Sequence, residues 1–206
     1  MSNAKNLKIK QIDKKNISFK ELSLIKNIIF WVDIIPGDQT HKNAIFAKPF
    51  NDKNAIPQKL TGDNFYIKSN FHGYGGKSYQ CIEVNDQIYL IWVDQISKAM
   101  WLQILRVQEK VPKSENEYLL RDVEPRQLTD SIKINFDTSF VIFKNNLLYG
   151  LCEIKNRDYL FSLNLKKTKQ EIRIIKKFDN FAGNLSSNIS ADLFSWIEWN
   201  ATSMPW

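Results

Sequence analysis

Phe30-Trp31-Val32-Asp33 and Ile91-Trp92-Val93-Asp94 are nearly the same phrase, about 60 residues apart, and this repetition decides the fold. Tyr149-Gly150-Leu151-Cys152-Glu153 repeats the pattern of apolar residues closed by an acid at a similar interval. Trp196-Ile197-Glu198 repeats it again after a shorter one. Downstream of the first two copies come Gln58-Lys59-Leu60-Thr61-Gly62 and Arg126-Gln127-Leu128-Thr129-Asp130, again matching phrases. The order each time is an apolar strand with an acid, a second strand, then a basic or polar residue before Leu-Thr.

Outward from these phrases, strand signals dominate: short runs of Ile, Val, Phe, Tyr and Trp between Asn, Asp, Gly and Lys clusters. The runs are Ile28–Asp33, Ala44–Ala47, Phe65–Lys68, Ser78–Val84, Ile88–Asp94, Met100–Val107, Phe140–Phe143, Leu147–Ile154, Tyr159–Leu165, Glu171–Lys176 and Leu193–Trp199. No amphipathic helix exceeds about three turns, although Ser18–Ile25 reads as a short helical or turn segment. Several strands per repeat imply propeller blades. The expected fold is all-β, an incomplete β-propeller of about three and a half four-stranded antiparallel blades. The blades span residues 17–62, 63–130 and 131–179, with an incomplete one at 180–206. So few blades cannot close a ring, and an open arc leaves an apolar blade face uncovered. The expectation is a fragment, or a chain completed by another.

Composition narrows the function classes. Hydrophobic residues at 43% and aromatics at 13% support a packed core and exclude a disordered chain. No apolar run approaches a membrane span, and Met1-Ser2-Asn3-Ala4-Lys5 lacks the apolar core of a signal peptide. Cys81 and Cys152 sit singly in strand-like runs, so free buried thiols and a cytoplasmic location are expected. The net charge of +7 raises nucleic-acid binding. Yet the basic residues decorate the N-terminus (Lys5, Lys8, Lys10, Lys14, Lys15) and an apparent hairpin turn (Lys166, Lys167, Lys169). No recognition signature accompanies them, so neither nucleic acid nor membrane is an expected partner.

Candidate residues gather in two places. Gly73, Gly75 and Gly76 flank Tyr74, which calls for positive φ or a close backbone approach. No Gly-x-x-x-x-Gly-Lys pattern is present, so a β-bulge or tight turn near the central channel is expected rather than a phosphate cradle. His72 has only His41 as a fellow histidine, so no metal or cofactor is expected and His72 reads as structurally hydrogen-bonded. At the other end, Trp196, Trp199, Met204, Pro205 and Trp206 are too apolar for a loose tail. Glu198 shares a strand face with Trp196 and opposes Trp199, where it either lines the channel or satisfies backbone donors of the next blade.

Both places resemble one family. Ile67-Lys68-Ser69-Asn70-Phe71-His72-Gly73-Tyr74-Gly75-Gly76-Lys77-Ser78-Tyr79 and the terminal Ile189–Trp206 are similar to two propeller segments of prolyl oligopeptidase-family serine peptidases, in their dipeptidyl- and acylaminoacyl-peptidase branch. Departures are Gly73 for the family's usual Glu, Ala191-Asp192-Leu193 for most of a Pro-Asp-Gly turn, and Ala201-Thr202-Ser203 for His-Pro-Asn. The resemblance implies the N-terminal part of a propeller that caps a peptidase active site and filters peptide substrates by size. It also implies that His72, Tyr74, Gly75, Gly76, Trp196, Glu198, Trp199, Met204, Pro205 and Trp206 line the channel or a domain interface. The implied partners are a peptide substrate, the remaining blades and a C-terminal α/β-hydrolase domain, which is absent here. The family's serine sits on a Gly-x-Ser-x-Gly elbow, and no such pentapeptide occurs in this chain, which is expected to be catalytically silent. A stand-alone propeller-like binding or scaffold module is the alternative.

Overall fold

Four antiparallel sheets follow one another along the chain. They are seen in a computed structural model that describes residues 20–35, 42–73, 75–108, 119–121, 124–130, 134–188, 192–200 and 202. The first sheet runs β1 (Lys20–Ile25), β2 (Ile28–Ile34), β3 (Asn43–Pro49), β4 (Gln58–Lys59). The second runs β5 (Tyr79–Val84), β6 (Gln87–Asp94), β7 (Ala99–Val107), β8 (Leu119–Arg121), and β9 (Arg126–Gln127) also pairs with β7. The third runs β10 (Ile134–Lys144), β11 (Leu147–Ile154), β12 (Asp158–Asn164), β13 (Arg173–Lys177). The fourth pairs β14 (Phe181–Ser187) with β15 (Phe194–Trp199). Spatial order equals chain order in each sheet, and the first strands β1, β5, β10 and β14 adjoin one another. This is an incomplete propeller-like all-β fold, with each sheet a blade and the first strands innermost.

Tight turns make the meander possible. Lys26-Asn27, Asn85-Asp86 and Asn145-Asn146 each join an innermost strand to its neighbour, and both residues of each pair have positive φ. That is the backbone of a type I′ turn, whose twist matches the strands it joins and which Asn tolerates well. The repeated Leu-Thr phrases also have one shared role. The Leu60 and Leu128 amides donate to the carbonyls of Ile45 and Met100, both at 2.8 Å. The Thr61 and Thr129 hydroxyls then accept the Ile45 and Met100 amides at 3.1 and 3.0 Å. A side-chain oxygen thus continues the strand ladder where the backbone leaves it.

Packing follows the two faces of each strand. Ile88, Leu90 and Trp92 of β6 join Phe30, Val32 and Ile45 in a core between the first two blades. Ile91 and Val93 turn the other way, into a core with Phe136, Leu148 and Phe161 of the third. A strand buried on both faces reads as an unbroken apolar run, which is why Ile88–Asp94 was so legible. A smaller core of Leu151, Leu160, Phe178, Ala182 and Leu185 joins the third and fourth blades.

Three local expectations differ from the structure. Ser18–Ile25 was expected to be helical or turned, but Lys20–Ile25 is β1, with a register shift between Lys20 and Ser23 and Glu21 at φ 59°. Pairing with β2 outweighs its weak helical spacing. Phe65–Lys68 forms only a bridge between Ile67 and Asp94, while β14 was not anticipated at all.

Candidate functional site

The described residues of Ser69–Lys77 fold around one buried hydroxyl, that of Ser69. Ser69 Oγ donates to the Phe136 carbonyl at 2.6 Å and accepts the amides of Phe71 (3.1 Å) and Gly76 (3.3 Å). A short 3-10 turn, Phe71–Gly73, results, with the Gly75 amide closing onto the Phe71 carbonyl at 2.9 Å. Gly75 is required there: its φ is +94°, and a Cβ would lie 3.0 Å from the Ser69 carbonyl oxygen. A Cβ on Gly76 would lie 2.5 Å from Asp137 Oδ1, the oxygen that accepts the Lys77 amide at 3.1 Å. Thr138 fastens the other side of Lys77 by donating its amide and hydroxyl to the Lys77 carbonyl, at 3.1 and 2.6 Å.

His72 is the centre of this region. Its φ of 53° swings the residue out of the turn, and its amide donates to Glu153 Oε2 at 2.9 Å. The imidazole Nε2 lies 2.7 Å from Asp158 Oδ2, with both side chains buried at 5% and 2% exposure. The same Asp158 oxygen accepts the Ala182 amide at 2.7 Å. A carboxylate that already accepts a backbone donor makes Nε2 the protonated nitrogen of this contact. Rings cover the imidazole: Phe71 at 3.8 Å between centroids, Phe181 at 5.1 Å and Trp199 at 5.9 Å. The turn leads into the second blade, yet it binds the third and fourth. The tight turn that these glycines call for is present, with Gly73 and Gly75 at positive φ.

The two family-like segments meet here through His72 and Trp199. Trp199 also stacks on Phe181 at 6.2 Å and covers Gly183. Trp196 and Glu198 lie on the other face of β15, with the Trp196 indole donating to Glu198 Oε1 at 2.8 Å. Lys176 Nζ stands 3.9 Å from Glu198 and above the rings of Phe178 and Trp196, at 5.1 and 5.6 Å. Tyr74, Met204, Pro205 and Trp206 lie outside the described residues, as does His41. Sequence reasoning missed Asp158, Asp137 and Glu21. Only Glu153 carried a signal, as the acid closing the third copy of the repeat; the acid of the second, Asp94, likewise accepts the Tyr66 amide at 2.8 Å.

The electrostatics are those of packing. Burial pushes the Cys81 and Cys152 thiols up, and both are free and buried. Burial also raises the Glu21 carboxyl, against hydrogen bonds from Ser78 and the charge of Lys77. Among the described residues no group of three His, Cys, Asp or Glu side chains could hold a metal ion. No helix among them is long and apolar enough to cross a membrane. With Nε2 engaged by Asp158 and its ring enclosed, His72 touches elements of the third and fourth blades at once.

The architecture and this turn define an open, propeller-like arc of blades. Among solved structures it is similar to a puromycin-hydrolyzing peptidase of Mycobacterium tuberculosis, with a TM-score of 0.71 and 13% identity over 93% of this chain. The chain spans only 28% of that peptidase's length, and at such identity the likeness shows the fold alone. No protein-family model matches the chain, and no curated protein matches it either.

Proposed function

We propose that these blades belong to the propeller of a prolyl oligopeptidase-like serine peptidase, where they cap the active site and admit short peptides while excluding folded proteins. The observation that carries this reading is the superposition of nearly the whole chain on part of a peptidase. The segments Ile67–Tyr79 and Ile189–Trp206 support it independently, since both resemble family phrases in the correct order. The proposed role is steric exclusion of large substrates and water from a reacting centre held on another domain. Catalysis then lies outside these residues. A cytoplasmic compartment goes with the reading, because Cys81 and Cys152 are unpaired thiols.

The test is made on the product of the complete locus. Its reading frame is expected to encode further blades and a Gly-x-Ser-x-Gly elbow, and its product to react with a fluorophosphonate probe. Short peptide amides are the first substrates to assay, with puromycin beside them because the similar peptidase hydrolyses it. The 206-residue chain by itself should remain unlabelled. A locus with no hydrolase segment, whose product neither labels nor associates with a hydrolase, would overturn the reading.

A further inference from the structure

We infer that Ser69–Lys77 is an interblade strap, and that it, rather than sheet-to-sheet packing alone, couples the fourth blade to the arc. The seam between the third and fourth blades is the thinnest of the three among the described residues. Among the described residues its buried core contains Phe71, Leu151, Leu160, Phe178, Ala182 and Leu185, far fewer than either other seam. One of those members, Phe71, comes from the strap itself. Beside it, Asp158 joins the strap to β14 by accepting both His72 Nε2 and the Ala182 amide, each at 2.7 Å. Phe181 and Trp199, one from each strand of the fourth blade, close on the His72 ring.

The His72 amide is held by Glu153 at the end of β11, and the Ser69 hydroxyl by the Phe136 carbonyl of β10. The strap therefore loops out of the second blade, across the third and against the fourth, before it returns into β5. A contact so distant in sequence restrains the angle between blades, which adjacent hairpins alone do not fix. This inference stands whether or not the complete protein is a peptidase.

Hydrogen exchange read by mass spectrometry and NMR tests it on the full chain. In the wild type, the His72 and Gly75 amides should exchange at the rate of Ala182 rather than of Tyr79, as members of one cooperative unit. In His72→Ala, amides of Phe181–Ser187 and Phe194–Trp199 should exchange at least about tenfold faster, with Tyr79–Val107 unchanged. Gly75→Ala should give the same pattern, because it strains the strap without touching the fourth blade. The inference is overturned if the strap amides exchange with the second blade. Unchanged exchange in the fourth blade of a folded variant, or equal acceleration in all four sheets, also overturns it.

Discussion

Glu21 on β1 grips Ser78 just before β5, its two carboxylate oxygens accepting the Ser78 amide at 2.6 Å and hydroxyl at 2.9 Å. The Tyr79 hydroxyl donates back to the Glu21 carbonyl, so the first two blades are latched at their innermost strands. The positive φ of Glu21 aims the carboxylate across the gap. A register shift in an innermost strand is here the device that turns one residue toward the neighbouring blade.

Burial is the largest influence on that carboxyl and raises it above the ordinary 4.5. The folded chain therefore binds a proton more readily than the unfolded chain does. The stability due to this group is greatest at acid pH and declines as pH rises from 4.5 through the raised folded value, then levels off. Glu21→Gln keeps an oxygen for the Ser78 amide and removes the titration. Urea midpoints measured from mildly acidic to neutral pH should show wild type losing ground to the variant. A constant difference across that range would contradict the assignment.

Gly76 tests the contact between Asp137 of β10 and the Lys77 amide. An added methyl meets Asp137 Oδ1 at 2.5 Å and must displace the carboxylate from the Lys77 amide. Gly76→Ala should destabilise the chain by about 1–3 kcal/mol, through overpacking and a lost hydrogen bond to a charged group. Thermal unfolding is the measurement. A change indistinguishable from zero would mean that Asp137 moves aside freely.

The thiols offer a test that needs no mutation. Cys81 lies in the core between the first two blades and Cys152 in the next core. Burial holds both thiols well above the usual range, so the thiolate needed for reaction is scarce in the folded state. Ellman's reagent should label neither in native buffer and both in denaturant. Rapid native labelling at either position would show that its seam opens.

How much of this was legible depended on whether the cause was local. β2, β6, β11 and β15 stood out because apolar runs closed by an acid are written in consecutive residues. β14, Phe-Ala-Gly-Asn-Leu-Ser-Ser, was illegible because Gly, Asn and Ser are weak strand formers and its pairing is imposed by β15. The glycines of Ser69–Lys77 announced an unusual backbone, but not where it leads. Asp158 lies 86 residues from His72, and nothing near either residue signals the other. Several asparagines are used at positive-φ positions, Asn27, Asn85, Asn145 and Asn146 in hairpin turns among them.

The two faces of β15 should respond differently to substitution. Glu198 is 34% exposed, and its partner Lys176 is 41% exposed, so solvent screens their 3.9 Å pairing. Glu198→Ala should shift stability by no more than about 0.5 kcal/mol. Trp199 instead covers Gly183, stacks on Phe181 and closes on His72, so Trp199→Ala removes a ring from the thinnest seam. A loss of about 2–3 kcal/mol is expected there, below that of a fully buried tryptophan because the residue is half-buried. Chemical denaturation of both variants makes the comparison. A costly Glu198→Ala would assign the carboxylate to the fold, whereas a neutral one would show that its contacts with Trp196 and Lys176 add little to stability.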